Sequence, residues 1–328
     1  MTVHPLVDEQ EWRRVAAACP YATFFQSPEW FAAFTAAEPD WTAEALSFEF
    51  PDGARALLPF IRRSTAGGRS VWMSGPAGVY GGWIADAPLS AKQQRSIVRF
   101  MAAPDHALAW RINPYAGLRI SRRFQLRPDH TTVLDLAGGF DRIFCSWSES
   151  HRRGVARARG RGIQVRRAAS ASDWQAYFSC YQDSLRRWGE RASSRYGWEL
   201  FAALSRLPDP GVSLWLAERG GRLQAGAVCF SHNRHTVYWH GAAYASGFPD
   251  RPVHLLMHEI IRDACTRGER WFDFNPSGGH EGVERFKRGF GGQSLAAPML
   301  ETRTPSSWKR IAAWVRSRLR ERAGAGRP

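Results

Sequence analysis

Apolar positions along the chain follow two periods, and one order of them occurs twice. In the second half, Val212–Arg219 alternates apolar and polar side chains toward a Gly220-Gly221 turn, and Arg222–His232 returns as its partner strand. Thr236–Ala243 is a further β-run after the Asn233-Arg234 turn, and a Gly/Pro-rich loop at Ser246–Pro252 then opens a helix. Val253, Leu256, Met257, Ile260, Ile261 and Ala264 give that helix one apolar face at spacings of three and four. Gly268 ends it, and Trp271 to Asn275 reads as the next strand. The first half repeats the order. Strands at Thr42–Phe50 and Ala54–Arg63 flank a Pro51-Asp52-Gly53 turn, and a strand at Ser70–Ser74 leads to a loop through Gly75, Gly78, Gly81 and Gly82. A helix at Leu89–Met101 and a strand at His106–Ile112 complete the copy. Hairpin, strand, glycine loop, helix and strand recurring at similar spacing predict a duplicated α/β unit with mixed, largely antiparallel sheets. A Rossmann sheet is not expected, because no GxGxxG occurs.

Between the copies, residues 139–162 read as a basic helix and Asp173–Trp188 as an amphipathic one. At the end, Ser306–Arg322 places Trp308, Ile311, Ala312, Val315 and Leu319 on one face of a C-terminal amphipathic helix. Charge refines this picture. The 45 Lys and Arg against 30 Asp and Glu leave +15 over 328 residues, and twelve of the excess charges lie in 149–167 and 301–328. The expected organisation is an N-terminal domain at 1–148, a basic linker helix at 149–167, a C-terminal domain at 168–300 and a basic helix and tail at 301–328. Such segments fit a polyanionic partner or surface, RNA or an anionic membrane touched peripherally. A composition that is 44% hydrophobic and 13% aromatic excludes a disordered basic protein. No run approaches the ~20 apolar residues of a membrane span, and the first residues lack a secretory pattern, so the expectation is a cytoplasmic protein. Five scattered cysteines without a CxxC pair give no zinc ribbon or thioredoxin motif, and no metal is expected.

The densest polar cluster of the second half runs from Asp273-Phe274-Asn275 to the Phe286-Lys287-Arg288-Gly289-Phe290-Gly291-Gly292 segment. A strand ending in Asp and Asn, followed by a glycine-rich loop and Phe286-Lys287, sets an ammonium and backbone N–H groups beside the sheet. Acyl transfer needs such donors where an oxygen gains charge. Lys287 is one of three lysines among 45 basic residues, a choice that favours a compact point charge. The competing expectation is a plain hairpin packed by Phe286 and Phe290, with Lys287 in solvent. The loop at 247–252 precedes a helix whose first N–H groups, around Val253 and His254, could hold a phosphate with help from Arg251. The QxxGxG/A signature of ordinary acetyl-CoA-dependent enzymes is absent. His254 and His258 lie four apart without an HExxH pattern and are read as structural. Trp239-His240 ends a strand near the expected cleft, where His240 is either a base or a packed histidine. Arg152 and Arg153 head an arginine helix with too few acids for an ordinary solvated face.

The ordered set of motifs resembles a family. Phe25-Gln26-Ser27-Pro28-Glu29-Trp30, Tyr80-Gly81-Gly82, Leu134-Asp135-Leu136 with the arginine helix and Gly162-Ile163-Gln164-Val165, Pro252 to Leu256, Asp273-Phe274 and Phe286 to Gly292 are similar to the Fem-type (FemABX-like) branch of the GNAT acyltransferase superfamily, over roughly residues 20–295. The resemblance implies two tandem GNAT-like domains and transfer of an acyl or aminoacyl group to an amine. It implies no tightly bound cofactor, with aminoacyl-tRNA or acyl-CoA as co-substrate and a small molecule or a peptidoglycan precursor as acceptor. It assigns Phe286 and Lys287 to the acyl-transfer centre. Direct attack of an amine on the activated ester or thioester is the expected mechanism, with deprotonation by the substrate, a water or Asp273. Arg152, Arg153, Trp239, His240 and Asn275 are expected to bind substrate, and Arg251, Val253 and His254 a phosphate. Two other readings stand beside this one: an acyl-CoA-dependent N-acetyltransferase, and a non-catalytic module for RNA or anionic membrane.

Overall fold

Each hairpin-led repeat folds into a sheet crossed by one helix. The computed structural model describes residues 1–5, 8–64, 70–103, 106–118, 122–192 and 195–302, and the chain divides into two units. The first contains β1 (Thr2–Pro5), α1 (Glu9–Ala18), α2 (Pro28–Ala37), β2 (Thr42–Glu49), β3 (Arg55–Ser64), β4 (Ser70–Ser74), β5 (Tyr80–Gly81), α3 (Ala91–Met101), β6 (His106–Ile112) and β7 (Phe124–Arg127). The second contains β8 (His130–Asp135), α4 (Phe140–Ser146), α5 (Glu149–Gly160), β9 (Gln164–Arg167), α6 (Ala171–Trp188), α7 (Trp198–Leu204), β10 (Val212–Arg219), β11 (Arg222–His232), β12 (His235–Ala243), α8 (Pro252–Thr266), β13 (Trp271–Asp273), α9 (Glu281–Arg288) and β14 (Gln293–Ala296). The chain then returns to the first sheet with β15 (Met299–Thr302). Among the described residues the sheet orders are β1-β2-β3-β4-β6-β15-β7, with β5 alongside β6, and β14-β8-β13-β12-β11-β10-β9. Both are mixed and largely antiparallel. Strand β8 belongs to the second sheet and β15 to the first, so the sheets take strands from beyond the expected boundaries at 148 and 300. The expected C-terminal helix lies outside the described residues.

The arginine-rich stretch forms two helices rather than one, because Trp147 between them is extended (ψ 148°). Ser148 caps α5 by accepting the His151 backbone N–H, Glu149 sits in the first turn, and Arg157 and Arg159 lie in the last turn. That polarity suits the helix dipole. His151, Gly154, Val155 and Ala158, spaced three and four apart, form its buried face. The Phe286-Lys287 segment, expected as a loop or hairpin, is the last turn of α9. Glu281 and Glu284 begin that helix, and Arg285, Lys287 and Arg288 end it.

The two units differ where their parallel strands part. In the first, β4 pairs β6 from Ser70–His106 to Ser74–Trp110, and β5 then carries on against Arg111 and Ile112. This continuation is built on glycine. A Cβ on Gly81 would lie 2.1 Å from the Ser74 carbonyl oxygen, and Gly75 has φ +78°. Ser74 stitches the turn, its hydroxyl donating to the Pro59 carbonyl (2.6 Å) and accepting the Gly82 N–H (2.9 Å). In the second unit the parallel ladder has three pairs and stops at Val237–Asp273, whereas β12 runs on to Ala243. Past Asp273 the chain bonds toward β8, Phe274 N–H to Thr132 O at 2.9 Å, and Asn275 (φ +58°) turns it away. The carboxyl ends of β12 and β13 therefore separate. That is where open α/β sheets place their sites.

Candidate active site

The end of β13 is fixed by one buried carboxylate. Asp273 is fully buried, and its Oδ1 accepts the Thr131 hydroxyl (2.5 Å) and the Asn275 N–H (2.7 Å). The second bond holds Asn275 in the left-handed region that its short polar side chain tolerates. The Asn275 carbonyl then accepts the Lys287 ammonium at 2.6 Å, with Pro276 O at 3.4 Å. Lys287 is only 5% exposed, so its charge sits in a poorly solvated place, aimed by two carbonyl dipoles. The Asn275 side-chain oxygen is enclosed and unpaired among the described residues.

Beside this cluster, α5, α8 and α9 meet through two imidazoles. His151 Nε2 lies 3.0 Å from the Phe286 carbonyl, which can only accept, so Nε2 carries the proton. Burial lowers the His151 pKa, and in the neutral ring Nδ1 accepts the Ser148 hydroxyl at 2.9 Å. His254 packs edge-on against His151 (4.9 Å) and against Phe286 (5.4 Å). Gly154 and Gly289 admit these rings: a Cβ would fall 2.6 Å from His254 and 2.3 Å from His151, respectively. Burial, together with the neighbouring His151 and Arg251, lowers the His254 pKa to about 4. An imidazole that is neutral when folded and protonated when unfolded stabilises the fold above its unfolded pKa, and that stability is lost as pH falls toward the folded value. For His254 the window runs from about pH 6.5 to 4, and the contribution is on the order of 3 kcal/mol. In thermal melts across this window His254→Leu should show a flatter dependence of Tm on pH than the wild type.

The remaining sequence-predicted residues divide. Phe286, Lys287, Asp273 and Asn275 come together, with His254 adjoining. Arg251 (φ +59°) immediately precedes α8, with Val253 in the first turn; Arg251 is exposed beside Asp250, whose carboxylate pairs with Arg161 (3.6 Å) and Arg219. Trp239 and His240 face elsewhere. A bulge inserts Trp239 into β12 opposite the Val228/Cys229 step, and both rings pack on the α6–α7 side against Phe201. His240 Nδ1 is 2.5 Å from the Tyr177 hydroxyl, and burial lowers its pKa to about 3, so it is a poor base near neutrality. Arg152 donates to the Cys145 and Trp147 carbonyls and caps α4, and Arg153 pairs with Glu149 one turn back. His258 bonds Glu259 and packs on Phe140 and Phe144, apart from the role of His254. Thr131, Ser148, His151 and Tyr238 were not assigned from the sequence. Tyr238 packs on the same core as Phe286, one residue past the last parallel pair, with its hydroxyl over Gly241. Only the contacts of these four mark them.

Residues 148–288 match the acetyltransferase (GNAT) domain family model. No curated protein matches the chain in sequence. Among solved structures, FemX aligns with a TM-score of 0.68 at 13% identity, over 95% of this chain and 99% of its own. The C-terminal domain of a protein provisionally named lysylphosphatidylglycerol synthetase, from Agrobacterium fabrum, aligns at 0.57 and 10% identity, over 93% and 96%. A tandem GNAT protein from the clavulanic acid biosynthesis pathway aligns at 0.51 and 12%, over 92% and 98%. No helix among the described residues is long and apolar enough to cross a membrane. Residues 148–288 thus carry the match to the GNAT acetyltransferase domain family, and the fold of the chain is similar to those of FemX and of the tandem GNAT protein.

Proposed function

We propose that the second unit transfers an acyl or aminoacyl group from a phosphate-bearing ester or thioester, aminoacyl-tRNA or acyl-CoA, to an amine of a small molecule or cell-wall precursor. The observation that carries this reading is the buried Lys287 ammonium, aimed by the Asn275 and Pro276 carbonyls beside strands that have parted. The acyl carbonyl lies in the opening. As the amine attacks, the carbonyl oxygen gains charge, and Lys287 opposes it in a site too poor in water to screen it. Phe286 holds the α9 backbone against His151, Asp273 sets the turn that aims Lys287, and Arg251 at the start of α8 faces the donor's phosphate. The amine proton leaves through substrate or water. The amide bond forms as the ester or thioester bond breaks, with no covalent enzyme intermediate. The first unit fills the equivalent opening with β5, which supports the choice of the second unit for the chemistry.

A donor screen tests the proposal. Purified protein is given radiolabelled aminoacyl-tRNA or acyl-CoA with a panel of amines and murein precursors, and amide formation is read by chromatography. Turnover with an aminoacyl ester selects the Fem-type reaction, and turnover with acyl-CoA selects the N-acetyltransferase. Salt-dependent tRNA binding indifferent to the aminoacyl group, without turnover of any donor, would establish the non-catalytic module instead.

A further inference from the structure

One apolar ring of the second unit is left outside the core in a position that packing does not require. Phe248, in the loop between β12 and α8, is 49% exposed. One face of its ring lies on the guanidinium of Arg187, whose Cζ is 4.9 Å from the ring centroid. That guanidinium is itself immobilised: it donates to the Ser184 hydroxyl (2.8 Å), to the Ala243 carbonyl and to Asp183 (3.3 Å). No further ring contact to Phe248 occurs among the described residues. A flat aromatic surface, backed on one side by a locked cation and open on the other, stands three residues before Arg251. On the same loop Asp250 is paired with Arg161 (3.6 Å) and Arg219 from neighbouring elements, and Arg251 is exposed.

From this juxtaposition we infer that Phe248 is a stacking platform for a nucleotide base whose phosphates are met by Arg251. A π-face accepts a planar base and the neighbouring arginines accept phosphate, so the ligand class is an adenosine phosphate. This deepens the proposed reaction, on which it rests for the identity of the donor. The two donor types share this chemistry, because coenzyme A carries an adenosine bisphosphate and tRNA ends in an adenosine. A bilayer would suit the exposed ring less well, since Phe248 already spends one face on a fixed guanidinium and the surrounding charge is concentrated beside a single ring.

The test uses adenosine 3′,5′-bisphosphate as probe, with binding by the full chain read by calorimetry, so that it does not depend on turnover. Stacking on one aromatic ring corresponds to roughly a five- to hundredfold effect on affinity. Phe248→Ala should weaken the probe within that range, Phe248→Leu nearly as much, and Phe248→Trp should retain it. The same variants are then titrated with free coenzyme A, and with tRNA either intact or lacking its terminal adenosine. Dependence on Phe248 for coenzyme A assigns the thioester donor, and dependence for intact but not truncated tRNA assigns the ester donor. Equal affinity of wild type and Phe248→Ala for all of these overturns the inference, as does loss of binding only to anionic phosphatidylglycerol vesicles. If the probe binds through Phe248 while the Lys287→Met variant keeps full turnover, the base site stands and the proposed chemistry fails.

Discussion

Lys287→Met should lower kcat about 10²–10³-fold while moving KM for either substrate little, the loss that follows removal of one preorganised donor to an oxyanion. Methionine keeps the length and the apolar stem and removes only the charged head. The ammonium is nearly enclosed and directed by the carbonyls of Asn275 and Pro276, so its effect on a developing charge is larger than that of a solvated lysine. Lys287→Arg should rescue little, because a forked, planar guanidinium cannot occupy the same place under the same two carbonyls. Single-turnover rates with the donor identified by the screen give the comparison. A variant with unchanged chemistry and a raised KM would reduce Lys287 to a binding group.

The sequence carried the order of elements and little of their joining. The strands at Val212–Arg219 and Arg222–His232 and the three–four spacing from Val253 to Ala264 survive in β10, β11 and α8; α8 buries one face, whereas Val212–Ala217 and Ala225–Phe230 are buried on both faces of the sheet. The glycine loop of the first repeat was also legible. Its consequence was not: Gly81 matters because the chain comes back against Ser74, a contact that is invisible in spacing. Likewise the Gly278-Gly279 pair ahead of Phe286 reads as loop or hairpin, whereas Glu281 to Arg288 forms a helix stabilised by acids at its start, bases at its end and the docking of Phe286 on His151 and His254. The arginine helix is the opposite case. Its charge was evident and its use was not, since Arg152 caps a neighbouring helix, Arg153 pairs with Glu149, and Arg159 and Arg161 reach Glu259 and Asp250. Much of that charge is answered within the unit, leaving Arg157 and Arg251 as the stronger candidates for an external phosphate.

Asp273 provides the second large effect and separates two roles for the same carboxylate. Asp273→Ala removes the acceptor shared by the Thr131 hydroxyl and the Asn275 N–H, stranding one fully buried donor and one partly buried donor. Each unpaired donor costs about 1–3 kcal/mol, so the variant should lose about 3–5 kcal/mol in urea unfolding. Catalysis should fall with it, because Asn275 then leaves the conformation that aims Lys287. Asp273→Asn keeps the oxygen that accepts both hydrogen bonds and removes the charge. As an orienting group it should retain turnover within about tenfold, with a smaller stability loss, whereas a catalytic base replaced by its amide would lose 10²-fold or more with the fold intact. The carboxylate lies behind the turn with Oδ1 committed to two donors and Oδ2 3.9 Å from His235, so the geometry favours orientation over proton transfer.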